Sequence, residues 1–255
     1  MSLDAAYAPP RGFADKIGRR VTQWRAARPA RLSFERPVLS VCFDDFPHSA
    51  ATDGAPILES FGVRGAFYAS AGLAKAGGPC GPGFTPGDLA RLSKAGHEIG
   101  CHTYTHRDCA RADAFESLND LARNRDALAA FGHRADLETL AYPYGETRHA
   151  LKAALPPRFL CARGILPGIN RGRVDLAQLR ANALFGDDVK PRMSRLLTEA
   201  ETRNAWLIVF THDIGDRPSP WGSTPSMLTA LLSTAQSAGF AILPVRDAVR
   251  LGQTA

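Results

Sequence analysis

Short β-rich runs alternate with longer helical patterns through most of the chain after Pro37, and this alternation limits the possible fold more than any other feature. The strand candidates span 38–43, 65–69, 98–101, 139–142, 159–162, 181–185, 206–211 and 241–243. The helical patterns span 52–61, 85–95, 114–131, 146–154, 189–203, 224–238 and 245–251. Such alternation is typical of parallel strands joined by crossover helices. Seven or eight units of this kind in 255 residues predict a single α/β domain folded as a barrel.

Two of the helical patterns open with the same dipeptide, Thr85-Pro86 and Thr224-Pro225. A threonine side chain can accept a hydrogen bond at a helix N-cap, and proline is well tolerated at the first helical position. We therefore expect helices to begin at both sites.

The whole chain has a formal net charge of +6, and the segment before Pro37 is more basic than the segment that follows. Read as a helix, residues 13–27 place four apolar side chains on one stripe, those of Phe13, Ile17, Val21 and Trp24. A basic amphipathic helix of this kind either lies on an anionic membrane surface or packs against the domain that follows. We expect a basic, helical N-terminal extension over 1–36 and the α/β domain over 37–255. No nucleic-acid recognition motif accompanies the charge, which argues against a nucleic-acid partner.

Three features of the sequence bear on the cellular compartment of the protein. The first ten residues lack the basic start and apolar core of a secretory signal. Five scattered cysteines do not suggest a disulfide framework, and no apolar stretch is long enough to cross a bilayer. We expect a cytoplasmic protein with reduced thiols.

Polar residues follow four of the strand candidates, at Asp44-Asp45, at His102 and His106, at 142–145 and at 211–213. In a parallel α/β domain the ends of these strands share one face. The spacing His-x-x-x-His lets two imidazoles converge on one ion, and one aspartate of the adjacent pair can complete a three-ligand set. The other aspartate is then free to deprotonate a water molecule, so the pattern predicts an open metal site with a base beside it.

The order of these segments resembles the polysaccharide deacetylase, or NodB-homology, family of carbohydrate esterases from Pro37 to Ala248. The family's first motif matches Phe43-Asp44-Asp45, and the second matches His102-Thr103-Tyr104-Thr105-His106. The third resembles Tyr142-Pro143-Tyr144-Gly145, and the last resembles Ile208-Val209-Phe210-Thr211-His212. The resemblance implies a distorted (β/α)7–8 barrel.

The resemblance also implies roles for individual residues. Asp45, His102 and His106 would bind a divalent metal, most often zinc, and Asp44 would be the general base. The backbone N–H of Tyr144 would stabilise the oxyanion together with the metal. His212 would protonate the departing amine.

Three departures from the family pattern mark the surroundings of Asp44. Phe46 stands where glycine is usual, Ala141 stands where many members carry an arginine that partners the catalytic aspartate, and no segment resembles the acidic-Trp fourth motif. We expect another arginine to enter from a neighbouring strand, with Arg180 as the candidate. Asp175 or Asp213 would orient His212. Residues expected to line the substrate site are Phe46, His48, Tyr142, Arg180 and Trp221.

These features favour a metal-dependent hydrolase that removes N-acetyl groups from N-acetylglucosamine-type residues. With no export signal in view, the expected substrate is a polysaccharide or a lipid-linked oligosaccharide met at the cytoplasmic membrane face, made for an exopolysaccharide or adhesin. Two alternatives remain open. One is a deformylase or other hydrolase of linear amides with the same site, and the other is a catalytically silent sugar-binding domain.

Overall fold

The computed structural model describes residues 12, 18, 21–74 and 77–254. The strands are β1 (Pro29–Leu32), β2 (Val38–Asp44), β3 (Ala66–Ala69), β4 (Gly77–Gly78), β5 (Gly81–Pro82), β6 (Glu98–Cys101), β7 (Thr139–Ala141), β8 (Cys161–Arg163), β9 (Gly172–Asp175), β10 (Asn182–Ala183), β11 (Trp206–Thr211) and β12 (Ala241–Ile242). The helices are α1 (Ala55–Ser60), α2 (Pro86–Lys94), α3 (Ala114–Ala130), α4 (His149–Ala154), α5 (Val189–Thr202), α6 (Pro225–Ser237) and α7 (Val245–Thr254). A wide helical turn, Ala50–Gly54, precedes α1.

Eight parallel strands form one curled sheet in the order β10-β11-β2-β3-β6-β7-β8, with β12 beside the first half of β2. Between β8 and β10, the two ends of this strand order, the chain pairs without a regular strand. The segment before β10 pairs with β8 at Arg163 and Leu179, and the amide of Gly164 donates to the Leu179 carbonyl at 3.0 Å. The expected distorted α/β barrel is thereby confirmed.

The strands are buried on both faces, as parallel strands covered by helices must be. Side chains of one parity, such as Leu39 and Val41 in β2, pack against the surrounding helices. Those of the other parity, such as Val38 and Cys42, fill the barrel interior. Leu32 and Phe34 belong to the interior cluster, and the Phe34 ring meets that of Trp206 at 6.3 Å. Because Trp206 begins β11, this contact lies at the N-terminal end of the barrel.

The eight strand candidates correspond to the eight strands of the sheet, and each helical pattern corresponds to a helix. Both predicted N-caps are confirmed, because Thr85 accepts from the amide of Asp88 and Thr224 from that of Met227. The antiparallel pairs β1–β9 and β4–β5 were not predicted. Their strands are short and partly exposed, so no run of apolar residues marks them in the sequence.

The N-terminal segment is attached to the domain through a buried lysine. Residues 21–24 are helical, and the Lys152 ammonium donates to the carbonyls of Thr22 and Arg25 at 2.7 and 3.0 Å while pairing with Asp175 at 2.7 Å. Two members of the predicted apolar stripe face solvent, since Val21 is 44% and Trp24 78% exposed. The other two, Phe13 and Ile17, lie outside the described residues. The predicted domain division at residue 36 remains a prediction.

Among the residues that the structure describes, no helix has both the length and the apolar character needed to cross a membrane.

Candidate metal centre and active site

Three potential metal ligands meet at the C-terminal mouth of the barrel. Asp45 follows β2, while His102 and His106 follow β6. The Asp45 Oδ1 atom lies 3.6 Å from the Nε2 of His102 and 3.4 Å from that of His106, and the three ligand atoms all lie within 4.8 Å of one another. Two imidazole nitrogens and one carboxylate oxygen at this spacing form a set that suits a divalent transition metal with open positions.

The protonation states of His102 and Asp45 match those of metal ligands. Burial lowers the pKa of His102 to about 4, so its imidazole is neutral at pH 7. Its Nδ1–H donates to the Ala141 carbonyl at 2.8 Å, which leaves Nε2 as the unprotonated nitrogen facing Asp45. Burial alone would raise the pKa of Asp45, but the imidazoles of His106, His102 and His212 bring it below its ordinary value. Asp45 Oδ1 is buried without a hydrogen-bond donor among the described residues, an arrangement that a bound cation would satisfy.

The backbone around the three ligands adopts unfavourable conformations. Four of the described non-glycine residues with positive φ lie at the barrel mouth, at Asp45 (56°), Thr103 (60°), His106 (52°) and Tyr144 (57°). Each such conformation costs about 1–3 kcal/mol, and these conformations concentrate at functional sites. Two of the three candidate ligands, Asp45 and His106, are therefore strained themselves, and Thr103 directly follows the third.

Asp44, the second carboxylate of the pair, is buried and bound to an arginine. Its Oδ1 accepts from the Arg163 guanidinium, whose side chain is 1% exposed. Burial opposes the charge of Arg163, but the neighbouring Asp44 and other acidic groups hold the pKa of Arg163 above its ordinary value. The guanidinium also lies over the ring of Tyr68, at 4.6 Å from its centroid.

Arg163 lies beside Ala141 in the sheet. The two residues are direct register partners in the adjacent parallel strands β7 and β8, so their side chains leave the sheet on the same face. Tyr68, which supports the guanidinium, packs so closely on Gly100 that a Cβ there would lie 2.5 Å from the Tyr68 ring. The arginine that pairs with Asp44 therefore comes from β8, the strand next to the one that carries Ala141.

The expectation that Arg180 would support Asp44 is wrong. The Arg180 guanidinium is exposed and donates to the carbonyl of Pro167 at 2.8 Å. Arg163 directly follows the strand candidate 159–162, just as Asp44 and His102 directly follow two other strand candidates. Its position at the end of a predicted strand is the sequence signal for Arg163 as a site residue.

His212 follows β11 and is partly exposed. Its Nδ1–H donates to the Trp221 carbonyl at 3.2 Å, which turns Nε2 away from that carbonyl. Neither predicted orienting carboxylate contacts it. Asp175 pairs with Lys152, and Asp213 accepts from the amide and hydroxyl of Ser219. A backbone carbonyl orients His212 instead.

Two of the residues predicted to line the substrate site are unavailable to a sugar. Phe46 is fully buried and stacks on Phe84 at 4.3 Å, because it anchors the loop before α2 to the core. Tyr142 is also buried, and its hydroxyl donates to the Ala177 carbonyl at 2.9 Å. These two predictions are wrong.

Other predicted contact residues are accessible. Trp221 is 37% exposed. The side chain of His48 is 47% exposed and contacts Asp88 through Nδ1 at 2.9 Å. Tyr144, predicted to act through its backbone N–H, lies beside a metal ligand, since its ring meets that of His106 edge-on at 4.6 Å.

Residues 32–155 match the family model described as polysaccharide deacetylase. No curated protein sequence matches the chain.

Several solved structures share the fold. Peptidoglycan deacetylase PdaC from Bacillus subtilis is 15% identical, with a TM-score of 0.59 and coverage of 86% of this chain and 93% of that one. A family 4 acetyl xylan esterase from Clostridium thermocellum, solved with a cobalt ion, is 18% identical, with a TM-score of 0.61 and coverage of 84% and 91%. A family 4 carbohydrate esterase from Streptomyces lividans is 18% identical, with a TM-score of 0.57 and coverage of 82% and 93%.

Proposed function

We propose that this chain, of which residues 32–155 belong to the polysaccharide deacetylase family, is a metal-dependent hydrolase that removes N-acetyl groups from N-acetylglucosamine-type sugars. The observation that carries the proposal is the convergence of Asp45, His102 and His106 at the barrel mouth beside a buried Asp44. A protein that only bound sugar would not need a buried carboxylate paired with an arginine next to three metal-ligating atoms.

Asp45, His102 and His106 would hold the metal. A divalent cation supplies Lewis acidity, which lowers the pKa of water toward 7 and polarises a carbonyl group. We propose zinc, because two imidazoles and one carboxylate are a common donor set for it. The orphaned Oδ1 of Asp45 and the unprotonated Nε2 of His102 support this fit.

The remaining residues divide the proton transfers. Asp44 accepts the proton of the attacking water, and Arg163 keeps this carboxylate in place. The backbone N–H of Tyr144, a residue with φ of 57°, would donate a hydrogen bond to the developing oxyanion. His212 donates a proton from Nε2 to the departing amine, because its Nδ1–H is engaged with the Trp221 carbonyl.

The proposed substrate is a polysaccharide or lipid-linked oligosaccharide at the cytoplasmic face of a membrane, of the kind made for exopolysaccharides or adhesins. Trp221 and His48 are the accessible side chains proposed to contact the sugar. Exposed Trp24 and Val21 beside Arg25 support peripheral contact with an anionic membrane surface.

The role of Asp44 is tested with Asp44→Asn on N-acetylated chito-oligosaccharides. We expect kcat to fall about 10²–10⁴-fold because the base is lost, while bound zinc, measured by metal analysis, stays at the wild-type level. Asp53→Asn, which changes an exposed carboxylate on the turn after the site, is the matched control and should keep full activity. Measuring acetate and formate release in parallel separates deacetylation from deformylation. Wild-type turnover by the Asp44→Asn variant would remove Asp44 as the base.

A further inference from the structure

Helix α3 presents a polar stripe to the sheet, where an apolar one is usual. Ser117, Asp120 and Asn124 are buried at helical spacing on the face that also carries Leu121 and Leu128. A buried polar side chain is stable only when its hydrogen bonds are made. The partners of this stripe therefore indicate what it does.

Asp120 binds the chain between the two histidine ligands. The side chain is 5% exposed. Its Oδ2 accepts from the amides of Tyr104 and Thr105 at 2.8 and 3.0 Å, and its Oδ1 accepts from the Thr105 hydroxyl at 3.1 Å. One carboxylate thus holds the middle of the five-residue segment that begins with His102 and ends with His106.

This segment needs external support because its backbone is strained at two points. Thr103 and His106 have φ values of 60° and 52°. The Thr103 hydroxyl oxygen accepts from the amide of Arg107, the residue directly after the segment, at 2.9 Å. From outside, the Arg123 guanidinium, one turn after Asp120 on α3, lies 3.9 Å from the centroid of the Tyr104 ring. Without Asp120 the two amides would lose a charged acceptor that fixes this conformation.

Docking of α3 does not depend on Asp120. Asn124 binds the strand ends independently, because its side-chain amide donates to the Ala69 carbonyl at 2.8 Å and accepts from the Ala71 amide at 2.8 Å. Asp120 contacts only the histidine segment among the described hydrogen bonds. Its role is therefore separable from helix packing.

We propose that Asp120 is a positioning residue for the metal centre, which holds the segment 102–106 so that the Nε2 atoms of both histidines meet Asp45. The inference rests on the proposed function, since it assumes that these three side chains bind a divalent cation. Residues that orient metal ligands in this way typically contribute 10–100-fold to metal affinity.

The test compares Asp120→Ala, Asp120→Asn and Asp113→Ala with the wild-type chain. Asp113 caps the same helix by accepting from the Glu116 amide at 2.7 Å and has no hydrogen bond to the histidine segment among the described contacts. Co²⁺ and Zn²⁺ affinities are measured by titration against a competing chelator. We expect about 10–100-fold weaker binding for Asp120→Ala and a smaller loss for Asp120→Asn, which keeps an acceptor oxygen. Asp113→Ala should lower the melting temperature and leave metal affinity unchanged.

Amide hydrogen exchange gives a readout that needs no metal. In the metal-free protein, the amides of Tyr104 and Thr105 should exchange slowly in the wild type and in Asp113→Ala, and rapidly in Asp120→Ala. If Asp120→Ala does not fold, metal affinity and amide exchange are measured on two milder variants. Asp120→Asn removes the charge of the acceptor, and Thr105→Val removes the hydroxyl that donates to Asp120. Wild-type affinity or wild-type protection in the Asp120 variants would overturn the inference. A wild-type chain that binds no divalent ion would instead refute the proposed function, and exchange would then decide the positioning role alone.

Discussion

At the scale of single residues, the Asp44 carboxylate and the Arg163 guanidinium form the least replaceable contact of the site. Both are buried and paired with each other, and breaking such a pair leaves an uncompensated charge that costs about 3–5 kcal/mol. The sequence indicated that Ala141 could not supply the partner of Asp44. It did not show which arginine would, because the register that places Arg163 beside Ala141 links two strands separated by a helix and a loop.

Arg163→Ala should lower kcat/KM, because the buried Asp44 carboxylate loses the guanidinium that holds it in place. Adding Ala141→Arg to this variant returns a guanidinium from the register partner, and we expect part of the activity to return. Arg180→Ala removes an exposed arginine and serves as the control. Wild-type kcat/KM in Arg163→Ala would contradict this account.

At the scale of elements, the sequence predicts the strands and helices that a local pattern of apolar residues marks. Each parallel strand is buried on both faces and reads as a short apolar run, as in β2 and β11. The short strands β1 and β9 could not be predicted, because they pair with each other across a long stretch of the chain. Phe46 was misjudged for a related reason, because its partner Phe84 lies in a distant loop.

The helical turn at residues 21–24 carries a prediction of its own. We expect the wild-type chain to bind vesicles that contain anionic lipid and Trp24→Ser to bind them about tenfold more weakly, since burying one large apolar side chain contributes about 1.5–3 kcal/mol. Phe115→Ser, which removes an equally exposed aromatic ring elsewhere, is the control. Equal vesicle flotation by wild type and Trp24→Ser would refute membrane contact through this helix.

At the scale of the whole molecule, parallel topology explains why distant residues form one site. All strands of the curled sheet run the same way, so the residues that follow β2, β6, β7 and β11, and the last residue of β8, gather at one mouth. The metal-ligand set could therefore be predicted from His-x-x-x-His spacing and strand order. The support of Asp44 could not, since it comes from a side chain on a strand far away in the chain. Nor could that of His212, which comes from a backbone carbonyl in a loop.

The central claim is that a divalent cation held by Asp45, His102 and His106 is required for deacetylation. The most direct measurement is the mass of N-acetylated chito-oligosaccharides after incubation with the protein before chelation, after chelation and after return of Zn²⁺. We predict a loss of about 42 Da per acetyl group, the difference between acetyl and hydrogen expected for this hydrolysis, which disappears on chelation and returns with the metal. Deacetylation that continues at the same rate in protein shown to be free of metal would contradict the claim.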